Sequence, residues 1–190
     1  IGEFIWCKAK EEKKAHALSA AGFDMSLDGD DIHSLQYQNA NNSVRLSDAF
    51  MQAVVDDASW DLIARTSGSV VETRPAREIF SDMAEAAWQC ADPGVQFETT
   101  INAWHTSPTA GPINASNPCS EYLHIDNSAC NFASLNLLSL LSDDDQFDVE
   151  GVRAASQVMI AAQENLVGLA SYPTEEIGKN TRRYRQLGLG

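Results

Sequence analysis

Positive charge is what this chain has least of. Thirteen Lys and Arg stand against 27 Asp and Glu, for a net charge of −14. A surface of that sign attracts neither a nucleic-acid backbone nor an anionic lipid face, so both are excluded as partners. Between Glu78 and Val152 there is no Lys or Arg at all. Long apolar runs are also missing: nothing approaches the roughly 18 residues of a membrane-spanning helix. The first residues lack the charged-then-apolar order of a secretion signal. Cysteine is sparse, four in 190 residues with no Cys-x-x-Cys pair, which excludes a disulfide-stapled secreted scaffold and a zinc ribbon. An acidic cytoplasmic protein with reduced thiols is the expectation.

What is there reads as alternating strands and helices, with no internal repeat and no second domain. Residues 1–20 predict a helix with Gly22 as its stop, and Lys8, Lys10, Lys13 and Lys14 read as its solvated face rather than a phosphate site. The aspartates of residues 23–34 predict a loop, in the wrong order for a calcium loop. Residues 42–46 predict a strand, after which Ser47 caps a helix through Phe50, Met51, Val54 and Val55. Short strands are expected at 60–63 and 69–72. Pro75 then opens a helix to about Cys90, with Ile79, Met83, Ala86, Ala87 and Cys90 on one face. Asp92-Pro93-Gly94 breaks it before a strand at 95–97.

Residues 105–116 predict a loop and 129–137 a buried strand, closed by Asp143-Asp144-Asp145. The longest helical pattern spans 149–170, with Val152, Ala155, Val158, Met159, Ala162, Leu166 and Leu169 as a core stripe. Pro173-Thr174-Glu175-Glu176 starts a further short helix, and Arg182, Arg183 and Arg185 form a second basic cluster. Both ends read as cut. Ile1 begins inside an apolar pattern without a cap, and the chain stops at Gly188-Leu189-Gly190 where a strand would continue.

The chemistry-bearing stretch is Asn117-Pro118-Cys119-Ser120-Glu121-Tyr122. In an extended loop, residues two apart project to one side, so Asn117, Cys119 and Glu121 could meet one substrate. A nucleophilic thiol needs a cation, a histidine or a helix N-terminus beside it. No cation is near in sequence and Glu121 is an anion, which favours a neutral S–H and hydrogen-atom chemistry, although a distant segment could supply the charge. Two other readings stay open. Cys119, His124 and Cys130 could bind zinc, though no fourth ligand is evident, and His105 could serve Cys119 as the base of a thiol hydrolase, though nothing in its loop fixes its position. Cys7 and Cys90 read as small buried apolar residues. His16, His33 and His124 read as surface or structural.

A second cysteine lies in Asn127-Ser128-Ala129-Cys130-Asn131-Phe132. Together with Gln38-Asn39-Ala40-Asn41-Asn42-Ser43-Val44-Arg45-Leu46, Asp92-Pro93-Gly94-Val95-Gln96-Phe97 and Tyr172-Pro173-Thr174-Glu175, these motifs resemble the large, catalytic chain of the ribonucleotide reductases. The wording around Cys119 looks most like the class II, adenosylcobalamin-dependent type. The resemblance implies an α/β fold, part of a ten-stranded α/β barrel with the catalytic cysteine on a central finger loop, and makes residues 1–190 an internal fragment of that barrel domain. It implies a ribonucleoside-diphosphate reductase. Cys119 is then the thiyl radical that takes the 3′ hydrogen, Glu121 the general base, and Asn117 the group that positions the ribose hydroxyls. Cys130 is one of the reducing dithiol pair, its partner lying outside the chain. Implied with these are adenosylcobalamin, a ribonucleotide substrate, deoxynucleotide effectors read by a loop within 22–41, a thioredoxin or glutaredoxin reductant, and a homodimer of the full-length protein. The class I alternative draws its radical from a separate subunit.

Overall fold

The computed structural model describes all residues, Ile1–Gly190. They sort into two compact units, one of Ile1–Thr109 with Ser116–Glu121, the other of Ala110–Ala115 with Tyr122–Gly190.

In the first unit, helix α1 (Gly2–Ala20) buries Ile5 and Ala9. It ends as expected at Gly22, whose positive φ of 95° lets the Phe23 N–H turn back to the Leu18 carbonyl at 3.1 Å, a Schellman closure that favours glycine. Lys10, Lys13 and Lys14 are exposed as expected, and Lys8 departs from expectation. Lys8 is half-buried, donates to the Ala40 carbonyl and pairs with Asp92 at 2.8 Å, and Lys14 donates to the Ser34 carbonyl. These two ammonium groups strap the irregular segment 34–40, which follows a 3₁₀ turn at Asp30–Ser34, along the helix.

Strand β1 (Ser43–Leu46) turns Val44 and Leu46 into the core. Ser47 caps α2 (Asp48–Val55) as predicted, accepting from the Phe50 N–H. Strands β2 (Ser59–Ile63) and β3 (Val70–Pro75) form an antiparallel hairpin, and Trp60 meets Phe50 edge-on at 5.3 Å. Helix α3 (Ala76–Cys90) buries Ala76, Ile79, Met83 and Ala86 against α1. Pro75 stands at the cap, one residue before the helix rather than in it. Strand β4 (Gly94–Phe97) then pairs with β1 in parallel, Arg45 opposite Gln96, and leads into the short helix α4 (Glu98–Ala103). Cys7 and Cys90, expected to be buried, are half-buried, each with a weak hydrogen bond from its thiol to a carbonyl of its own helix.

In the second unit, β5 (Asn131–Ala133) pairs in parallel with β6 (Leu187–Leu189). The buried strand expected over 129–137 is thus only three residues long, and Phe132 is 60% exposed. Asn136 ends it by accepting the Leu138 N–H at the start of a 3₁₀ turn, Leu137–Leu140. Helix α5 (Val149–Leu169) is capped by Asp148. Its core stripe is displaced from the expected one: Val158 and Leu166 are exposed and Leu169 is 82% exposed, whereas Gln163 and Val167 are buried. The buried line runs along a neighbouring face because Gln163 serves the strands. Its Nε2 donates to the Gly188 carbonyl and its carbonyl accepts from Asn131 Nδ2. Helix α6 (Glu175–Tyr184) starts at the cap Thr174, with acids in its first turn and arginines in its last, as the helix dipole favours.

Both parallel pairs and the alternation of helix and strand agree with the α/β expectation. The three sheets are two-stranded and form no closed barrel.

Candidate active site

Cys119 lies at the corner of a β-turn. The Ser120 N–H donates to the Asn117 carbonyl at 3.1 Å, which places Pro118 and Cys119 at the two central positions, the first of which suits proline. Ser120 follows with φ of 65°. The stretch is therefore folded, and alternation along an extended chain does not describe it. Asn117 and Cys119 in the turn, and Glu121 just after it, all belong to the first unit. Cys119 is exposed with a free thiol, Glu121 is exposed and Asn117 half-buried.

The turn is held from below by residues that the sequence reading missed. Gln96 is 7% exposed. Its Oε1 accepts from Arg45 at 3.1 Å, and its Nε2 donates to Ser116 Oγ at 2.5 Å and Ser120 Oγ at 3.0 Å. Ser116 Oγ in turn donates to the Asn117 carbonyl at 2.8 Å. The signal was a glutamine between Val95 and Phe97, since an amide in an apolar strand must find partners if it is buried. Arg45 joins the residues that hold the turn from a distant segment, through its hydrogen bond to Gln96.

Cys130 belongs to the second unit. It is half-buried and its thiol donates to the Asn131 carbonyl at 3.2 Å. The backbone around it is fixed from both sides. The preceding Ala129 N–H donates to Oγ1 of the buried Thr181 at 2.9 Å, Asn131 is tied to Gln163, and Asn180 donates to the Asn127 carbonyl. Tyr122 donates to Ser128 Oγ at 2.8 Å. Burial raises its pKa above the ordinary 10.0, the Ser128 hydrogen bond lowers it, and the nearby Cys130 adds a smaller upward push.

The histidines take defined places. No three His, Cys, Asp or Glu side chains gather to hold a metal, and His124 is buried against the Tyr184 ring at 4.9 Å, which agrees with a structural role. His105 is fixed after all: it is buried, and its Nδ1 accepts from the Ser107 N–H at 3.2 Å. The second basic cluster is taken up locally, Arg182 over Tyr172, Arg183 over Tyr184 and Arg185 on Glu164.

Residues 1–190 match the family model of the ribonucleotide reductase barrel domain. The chain belongs to the ribonucleotide reductase family. A vitamin B12-dependent ribonucleotide reductase of Streptomyces coelicolor is 54% identical, the match covering all of this chain and 20% of that protein. One from Rhodopirellula baltica is 50% identical over all of this chain and 18% of its own length. A vitamin B12-dependent ribonucleoside-diphosphate reductase of Mycobacterium tuberculosis is 33% identical over 79% of this chain and 21% of its own. The chain thus spans about a fifth of the length of these curated relatives. No helix is long and apolar enough to cross a membrane.

Proposed function

We propose that this chain carries the thiol centre of an adenosylcobalamin-dependent reductase that converts ribonucleoside diphosphates to deoxyribonucleotides. The observation that carries the reading is the exposed, free thiol of Cys119 on a turn shared with Asn117 and Glu121, in a stretch without any Lys or Arg from Glu78 to Val152. Adenosylcobalamin, when bound, supplies the radical that removes the thiol hydrogen. The site fits that demand, because Cys119 is an exposed cysteine with no disulfide partner and so has a thiol hydrogen to offer. Cys119 is the residue this chain presents to the cofactor.

The residues then act in order. The Cys119 sulfur radical takes the 3′ hydrogen of the substrate, and Glu121 accepts the 3′-hydroxyl proton as general base. Loss of the 2′-hydroxyl as water follows. Asn117, with donor and acceptor on one amide, holds the ribose hydroxyls. Cys130 and a second thiol together give two electrons and two protons, ending as a disulfide, and Cys119 returns the hydrogen to C3′. The net change is one C–O bond replaced by C–H, one water released and one dithiol oxidised.

The names of the relatives favour the cobalamin-dependent type over a class I chain with a separate radical-generating subunit. Family membership argues against a cysteine hydrolase. We place the turn at 117–121 on the finger loop of a ten-stranded barrel completed by the full-length protein, which works in the cytoplasm as a homodimer. Thioredoxin or glutaredoxin reduces its disulfide, and deoxynucleotide effectors act through the segment 22–41. The test uses the full-length protein with adenosylcobalamin, a ribonucleoside diphosphate and a dithiol. Cys119→Ser abolishes deoxynucleotide formation. Retained activity overturns the site, and activity without adenosylcobalamin overturns the cofactor while leaving the reductase.

A further inference from the structure

Arg45 and Gln96 are register partners on parallel strands β1 and β4, on the side opposite the core-facing Val44 and Leu46. A guanidinium has only donors, so the Gln96 amide must turn its oxygen to Arg45, and its two N–H groups are left to face away. Both find serines, Ser116 and Ser120, three residues before Cys119 and one after it. One buried amide therefore grips both flanks of the cysteine turn, and the guanidinium decides which way round that amide sits. Ser116 passes the constraint on through its hydrogen bond to the Asn117 carbonyl, the same oxygen that closes the turn with the Ser120 N–H.

From this geometry we infer that Gln96 is a positioning residue for the Cys119 thiol, oriented by Arg45 and acting through Ser116 and Ser120. The inference rests on the reading of Cys119 as the reactive thiol. The clamp fixes an exposed sulfur that packing alone would leave mobile, and its amide is itself buried, with Gln96 7% exposed. Its loss is therefore expected to lower kcat, and to raise KM as well because the same turn carries Asn117.

The experiment compares the full-length protein with its Ser116→Ala/Ser120→Ala double variant, which leaves the Arg45 to Gln96 bond intact, and with Ser116→Thr, which keeps the hydroxyl. Two readouts are taken: turnover with adenosylcobalamin and a ribonucleoside diphosphate, and the rate at which iodoacetamide alkylates each cysteine in the unloaded protein, resolved by mass spectrometry. The double variant is expected to lose up to about 100-fold in kcat, the scale of a 1 Å misplacement. Its Cys119 alkylation rate rises while those of Cys7, Cys90 and Cys130 stay put, and Ser116→Thr behaves like the parent. Wild-type kcat and alkylation in the double variant overturn the clamp, and so does an equal loss in Ser116→Thr. Cys119→Ser in the same assay separates the two claims. If it still turns over, the thiol reading fails, while the alkylation rates decide the clamp by themselves.

Discussion

Thr181→Val is the substitution that tests how the Cys130 backbone is held. Thr181 is 1% exposed and its Oγ1 accepts the Ala129 N–H at 2.9 Å. Valine copies the shape of threonine and removes the acceptor. Ala129 is half-buried, and an amide left without its partner in such a place costs about 1 to 3 kcal/mol. Were local opening to set amide exchange, that free energy would read out as exchange at Ala129 faster by about 5-fold to 150-fold. Hydrogen exchange with mass spectrometry, on a peptide covering 126–133 of the full-length protein, measures it. Thr181→Ser is the control: it keeps the oxygen and gives up one methyl, about 0.8 kcal/mol of burial, so Ala129 stays protected. Unchanged protection in Thr181→Val, or equal acceleration in Thr181→Ser, refutes the assignment.

Two further outcomes are expected. Tyr122 ionises above the ordinary tyrosine value of 10.0; the neutral form is favoured in the fold, so its contribution to stability is intact below pH 10 and is lost as pH rises through the shifted value. Absorbance titration at the tyrosinate band, wild type minus Tyr122→Phe, should show that late step, and a difference titration centred at or below 10 contradicts it. A Cβ on Gly29 would lie 2.3 Å from the Asp24 carbonyl oxygen, an overpacking of about 1 to 3 kcal/mol. Gly29→Ala should speed proteolysis within 22–41, whereas Gly2→Ala, with nothing within 4 Å, should not; equal rates refute the clash.

Helix ends were legible wherever one residue type does one job: Gly22 with its positive φ, and Ser47 as a cap. The apolar face of α3 was legible because a single core lies against it. What sequence patterning could not reach is burial set by partners. In β4, hydropathy points Val95 and Phe97 inward, yet both are exposed and the polar Gln96 is buried, because the cysteine turn sits over that face and an amide has four hydrogen bonds to offer it. On α5 the same logic selects Gln163 over Leu166. Lys8 left the solvated face for a backbone carbonyl 32 residues away and the Asp92 carboxylate. At the candidate site, Cys119, Glu121 and Asn117 were found from their own chemistry, whereas Arg45, Gln96, Ser116 and Ser120 act only through contacts that depend on strand register.

The most direct test of the thiol assignment is the fate of the hydrogen at C3′. With adenosylcobalamin, a dithiol and a ribonucleoside diphosphate carrying deuterium at C3′, the full-length protein should show a primary isotope effect on reduction. Cys130→Ser should retain that isotope-sensitive step and fail in sustained turnover with a thioredoxin-type reductant. Cys119→Ser should show neither the step nor product. An isotope effect that survives Cys119→Ser would contradict the account.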